Sequence, residues 1–156
     1  MFNKLFEENY PKVLRLCKGY FNGDKYLAHD ASQEIFMKVW EHLDTFRNDA
    51  NVKTWLYRIS VNTCLVYIRK ASYKKKILYE LILYPETENY SFEIEQKLEK
   101  MYDCINKLDP SGKLIILMVL EGLKYNEIAE VVGVTEETLR VKIHRIKKKL
   151  TQCVQL

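Results

Sequence analysis

The chain has 156 residues, 47% of them hydrophobic and 29% charged, with 5 Gly, 3 Pro and 4 Cys. That length suits one medium or two small domains rather than a large catalytic barrel. The shortage of Gly and Pro argues against the many turns of an all-β sandwich and favours helices. The net charge of +4 is unevenly laid: residues 1–76 carry +6, 77–95 carry −5, 96–123 balance, and 124–156 carry +3. Such an order suggests two polyanion-binding modules joined by an acidic connector, although a set of solvated helix faces would give the same counts.

No segment is expected to span a bilayer, because the longest strongly apolar run is Leu114 to Leu120 and a spanning helix needs roughly 20 residues. Glu7 and Glu8 fall where a secretion signal would have its apolar core, so no leader is expected. The cysteines at 17, 64, 104 and 153 have no metal-ligand spacing. Reduced, unpaired thiols in a cytoplasmic protein are the expectation, with Cys17 and Cys64 as small core hydrophobes.

In chain order, Phe6, Tyr10, Val13, Leu14, Cys17 and Phe21 recur at helical spacing, with a kink or restart possible at Pro11. Asn22-Gly23-Asp24 reads as a turn. A second helix from about Lys25 to Leu43 points Ala28, Ala31, Ile35, Phe36, Val39 and Leu43 inward. Its other face carries a polar stripe, Asp30, Gln33, Glu34, Met37, Lys38 and Glu41, containing one exposed methionine. After a loop over Asp44 to Asn51, a third helix from Val52 to Lys70 turns Leu56, Ile59, Thr63 and Tyr67 to the core. Arg58, Asn62, Leu65 and Arg69 share another of its faces.

Residues 77–93 form an acidic linker containing Pro85, and a second module occupies residues 94–156. It opens with an amphipathic helix through Ile94, Leu98, Met101, Ile105 and Leu108. Asp109-Pro110, an N-cap followed by Pro at the first helical position, starts an apolar helix that stops near Gly122. Tyr125 to Val132 is a short helix, Gly133-Val134 a tight turn, and Thr135 the N-cap of a last helix burying Leu139, Ile143, Ile146 and Leu150. From Thr138 onward there are six basic residues and no acid. Helix, short glycine turn and basic helix make the helix-turn-helix pattern.

The stretch Asp30-Ala-Ser-Gln-Glu-Ile-Phe-Met-Lys-Val-Trp40, then Phe46-Arg47, then Thr54-Trp-Leu-Tyr-Arg-Ile-Ser-Val-Asn-Thr63, resembles region 2 of bacterial RNA polymerase sigma factors. Its closer likeness is to the short extracytoplasmic-function (ECF) group of the sigma-70 family. Glu121 to Ala129 followed by Thr138 to Arg145 resembles region 4 of the same group. The resemblance implies an all-α chain of two small helical domains. These are a region 2-like bundle of three to four helices over residues 1–76 and a region 4-like helix-turn-helix domain over 94–156.

It also implies partners: core RNA polymerase through its β′ coiled-coil and β flap, promoter DNA, and an anti-sigma factor. The stripe Asp30, Gln33, Glu34, Met37, Lys38 and Glu41 would dock on the β′ coiled-coil. Phe46, Arg47, Arg58, Asn62 and Arg69 would melt the −10 element and hold a flipped-out base. That task needs a hydrogen-bonding pocket edge, an aromatic wall and cations, and no bond is broken. Thr138, Arg140, Val141, Lys142, His144 and Arg145 would read the −35 element in the major groove. Val141 and Ile146 stand where the family commonly has small residues, and Lys124 stands where Ser or Thr usually caps the helix.

A helix-turn-helix regulator acting without polymerase would explain residues 94–156 and leave 1–76 unaccounted for. An enzyme is disfavoured: no nucleotide, zinc-protease or serine-hydrolase motif occurs, and no glycine lies between Gly23 and Gly112. No catalytic residue, metal or cofactor is expected.

Overall fold

A computed structural model describes residues 1–46, 51–70 and 92–155 of the chain. Among these there are seven α-helices and no strand. The first three are α1 (Phe2–Tyr20), α2 (Lys25–His42), continued by a 3-10 turn at Leu43–Thr45, and α3 (Val52–Lys70). The second group is α4 (Phe92–Asn106), α5 (Pro110–Leu120), α6 (Tyr125–Val132) and α7 (Glu136–Gln155).

α1 runs unbroken through Pro11, so the possible restart there does not occur. It ends where Asn22 and Gly23 take positive φ, 61° and 81°. Asp24 then caps α2, its carboxylate accepting from the backbone N–H groups of Tyr26 and Leu27 at 3.1 Å each. That cap satisfies two of the four amides a helix start leaves without partners. α1, α2 and α3 pack on one another over Val13, Leu16, Cys17, Ala28, Ile35, Val39, Leu56 and Cys64, all at most 1% exposed. The small residues Ala28 and Ala31 let α1 and α2 approach closely. Buried hydroxyls inside this packing bond backwards to the preceding turn: Ser32 to the Ala28 carbonyl, Ser60 to that of Leu56, and Thr63 to that of Ile59.

The inward positions of α1 and α3 differ in part from the expectation. Phe6 is 36% exposed rather than core, because the α1 stripe is wider than the surface α2 covers. Conversely, α3 buries Tyr57, Ser60 and Val61 beside Leu56 and Thr63, while Cys64 is buried as expected. Packing against α1, α2 and α6 buries more of α3 than a single amphipathic stripe would.

In the second group, Asp109 accepts from the Gly112 N–H and Pro110 opens α5. α5 is almost wholly buried from Gly112 to Met118. That fits an apolar helix contacted by α1, α4, α6 and α7. Leu98 of α4 is 39% exposed, against expectation, while Cys104 and Ile105 are buried. The Ile94 side chain lies outside the described residues, as do residues 71–91, which hold nearly all of the expected acidic linker. Leu139, Ile143, Ile146 and Leu150 of α7 are buried at the expected spacing.

The expectation of four unpaired thiols needs correction. Cys104 of α4 and Cys153 of α7 form a disulfide with a Cα–Cα distance of 5.9 Å across 49 residues of sequence. No local motif announces it; the packing of α4 on α7 brings the two cysteines together. Cys17 and Cys64 are free and fully buried.

Candidate nucleic-acid and partner interfaces

Of the stripe expected on α2, three residues line a groove and three lie beside it. Gln33, Met37 and Glu41 border an open groove of about 480 Å³ between α1 and α2, whose floor and walls are Phe2, Phe6, Tyr10, Phe36 and Trp40. Lys38 leans the other way, donating to the Thr63 hydroxyl of α3 at 3.2 Å and pairing with Glu34 at 3.4 Å. Asp30 is half-buried outside the groove. Met37 and Trp40 are 63% and 65% exposed, a large apolar display for an unpartnered surface. The rings brace each other: Phe2 meets Trp40 edge-on at 5.0 Å between centroids, and Phe6 meets Phe36 at 5.0 Å. Phe2, Phe6 and Trp40 were absent from the sequence-derived site. The spacing Phe2, Phe6, Tyr10 is a usable signal in the sequence, although Phe6 and Tyr10 there read equally as part of a core stripe.

On α3, Arg58 and Asn62 are both exposed and one turn apart, with Leu65 next on the same face. Phe46 packs on Trp55 near the start of α3, the ring centroids 4.8 Å apart. Trp55, two turns before Asn62 on the same face of α3, thus supplies an aromatic surface that sequence reasoning did not single out. Arg47 and the side chain of Arg69 lie outside the described residues. The Arg58 guanidinium does not stand open: it donates to the Glu130 carbonyl of α6 at 2.9 Å.

The helix-turn-helix is built from α6 and α7. Gly133 ends α6 at φ 75°, where a side chain would be strained. The Thr135 hydroxyl accepts from the Thr138 N–H at 3.1 Å, fixing the start of α7. Lys124 cannot cap α6 with its side chain, yet Glu127 accepts from its backbone N–H at 3.1 Å, so half of a capping box survives. Val141, 48% exposed, sits on the α7 side away from the buried leucines and isoleucines, with Thr138, His144 and Arg145 also exposed. Lys142 is exposed on one flank. Arg140 is held on the other: it pairs with Glu136 at 2.8 Å and lies over the Tyr125 ring at 5.5 Å. Among the described residues no His, Cys, Asp and Glu group could hold a metal, and no helix is long and apolar enough to cross a membrane.

These features define a class: a two-part helical DNA-binding protein with a helix-turn-helix in its second part and an exposed aromatic groove in its first. The sigma-70 region 2 family model matches residues 5–73, and the sigma-70 region 4 model matches residues 98–150. The chain is 30% identical to the ECF RNA polymerase sigma-E factor of Haemophilus influenzae, covering 99% of this chain and 87% of that protein. Against the sigma-E factor of Escherichia coli K12 the identity is 31%, with 99% and 86% covered. In fold it is similar to the sigma factor RpoE in its complex with the anti-sigma factor NepR from Bartonella quintana. The TM-score is 0.76 at 18% identity, with 99% of this chain and 97% of that one covered. It is similar also to CnrH in complex with the cytosolic domain of CnrY, at TM-score 0.73 and 20% identity, covering 99% and 87%.

The chain belongs to the sigma-70 family of RNA polymerase sigma factors, in the ECF group. Its region 2 match accounts for the part that a stand-alone helix-turn-helix regulator left unexplained.

Proposed function

We propose that this sigma factor, which directs promoter-specific transcription with core RNA polymerase, works through three separate surfaces on two domains, residues 1–76 and 94–156, joined by the acidic linker 77–93. The α1/α2 groove, edged by Gln33, Met37 and Glu41, takes the β′ coiled-coil. Asp30, Glu34 and Lys38 extend that contact on its α3 side. The α3 face of Arg58 and Asn62, with Phe46, Arg47 and Arg69, holds the melted −10 strand. Thr138, Val141, Lys142, His144 and Arg145, flanked by Arg140, read the −35 duplex, and the same domain meets the β flap. An anti-sigma factor is the expected regulator, and the cytoplasm the expected place of action. Sigma factors are not enzymes, and nothing in these roles requires a bond to break.

The observation that carries this reading is the division of labour within the first domain. The apolar groove lies between α1 and α2, whereas the hydrogen-bonding and cationic face lies on α3. A protein partner favours a desolvating aromatic surface, and an unstacked base favours an amide beside aromatic rings. Two variants test the division. Met37→Ala with Trp40→Ala should abolish co-elution with core polymerase, whereas Asn62→Ala should leave co-elution intact and lower run-off transcription at least tenfold. Equal loss of both activities in both variants would overturn the assignment.

A further inference from the structure

Helix α7 turns one side inward, where Leu139, Ile143, Ile146 and Leu150 are buried. At about 100° per residue, the position opposite that buried row in the first half of the helix is Val141, which is 48% exposed. Glu137 stands one turn before it on the same outward side and is also exposed, and Arg145 stands one turn after. A major groove lying along this side meets an aliphatic side chain first, with a carboxylate on its N-terminal flank.

Neither suits a surface that only has to meet a polyanion. From Thr138 onward there are six basic residues and no acid, so Glu137 repels the phosphates those cations attract. Its neighbour Glu136 is held by Arg140 at 2.8 Å, whereas Glu137 has no ion-pair partner among the described residues. An acid in the first turn complements the positive end of the helix dipole, and Glu136 already does so. Val141 gains nothing from water or from phosphate.

The bases offer both residues what the backbone does not. In the major groove a carboxylate accepts from cytosine N4, and the apolar group on display is the thymine C5 methyl. Four residues of α7 advance about 6 Å, against about 3.4 Å for each base pair, so the two contacts fall one or two base pairs apart. Arg140 takes no such part without leaving Glu136 and the Tyr125 ring. The Thr138 hydroxyl is engaged as well, accepting from that of Thr135 at 2.8 Å.

We propose that Glu137 and Val141 set the sequence preference of α7. Glu137 selects a cytosine and Val141 a thymine methyl one or two base pairs away, while the surrounding cations give affinity for duplex of any sequence. The proposal rests on assigning α7 to the −35 duplex, and adds to that surface an acid among residues otherwise cationic, polar or aliphatic.

The test is selection by the holoenzyme, the full chain with core polymerase, from a pool of linear duplexes of randomised sequence. The wild-type protein should enrich an upstream block holding a fixed cytosine and a fixed thymine at that spacing. Glu137→Ala should free the cytosine position, cut the preference for the selected duplex over the starting pool about tenfold, and strengthen binding to the pool itself. Glu137→Gln should move the fixed base to adenine, whose N6 and N7 a glutamine matches. Uracil in place of the thymine removes the methyl alone and should weaken wild-type binding about fourfold, with no effect on Val141→Ala. A stronger grip on the pool with an unchanged block in both Glu137 variants marks a carboxylate that serves the helix dipole alone, and overturns the proposal. Equal wild-type binding of thymine and uracil duplexes overturns it too. If the block persists through those failures and is lost in Arg145→Ala, the −35 assignment stands without the proposal. If the wild type enriches no upstream block, both fall together.

Discussion

Arg140 and Arg145 stand five residues apart on one helix and have different freedom. Arg140 is tied to Glu136 and to the Tyr125 ring, so reaching DNA means giving up both contacts. Arg145 is exposed, on the same side of α7 as Val141. Replacing Arg145 with Ala should weaken binding to duplex −35 DNA and reduce the slope of log K against log salt by about 1. Arg140→Ala should change the slope by less than half as much. Equal slopes for the two variants would mean that Arg140 leaves Tyr125 in the complex. The sequence marked both as candidates because it shows charge and register; the neighbour that holds Arg140 comes from another helix. Asn62 was legible in the motif, and it is exposed on α3. Trp40 was equally visible in the motif, but its place in a groove depended on Phe2 and Phe6 arriving from α1.

At the scale of elements, local rules did well wherever a boundary is written in local chemistry. Asp24, Asp109, Gly133 and Thr135 mark helix ends through backbone hydrogen bonds or positive φ, which neighbouring residues decide. They did less well where two helices must meet. The disulfide between α4 and α7 is such a case. It closes a loop across 49 residues, for which chain entropy suggests stabilisation of about 4 kcal/mol. Reduction, or Cys153→Ser, should lower the thermal midpoint of the second domain and leave the first unchanged. Calorimetry in the presence and absence of dithiothreitol would show it. An unchanged midpoint would mean that α4 and α7 hold together by packing alone.

At the scale of the whole molecule, the junction between the halves also buries titratable groups. Burial pushes the phenols of Tyr20 and Tyr57 up to about 12. For Tyr57 the nearby Glu121 carboxylate adds to the effect, and its hydroxyl has no hydrogen-bond partner among the described residues. Both pKa values are raised above the unfolded value of about 10. Their contribution is therefore fully present below pH ~10 and is lost as pH rises towards ~12, on the order of 2 kcal/mol for each. Lys113 acts oppositely, because burial lowers its pKa and stability gains as it neutralises. Urea midpoints at pH 9 and pH 11 should therefore fall less in Tyr20→Phe/Tyr57→Phe than in wild type. An identical fall would place the alkaline sensitivity elsewhere.

The sequence by itself determined the helical class, the helix ends, the apolar faces and the family. Each depends on residues within a few positions of one another, or on motifs long enough to be specific. Only the tertiary structure decided that α2's polar stripe divides between a groove and α3, that Cys104 meets Cys153, and that α6 rests on Arg58. These are contacts between residues far apart in sequence, set by how helices pack in space. The mild charge of +4 illustrates the difference. Its basic and acidic segments can be counted in the sequence, but the pairing of Arg15 with Glu121 across 106 positions exists only once α1 lies against α5.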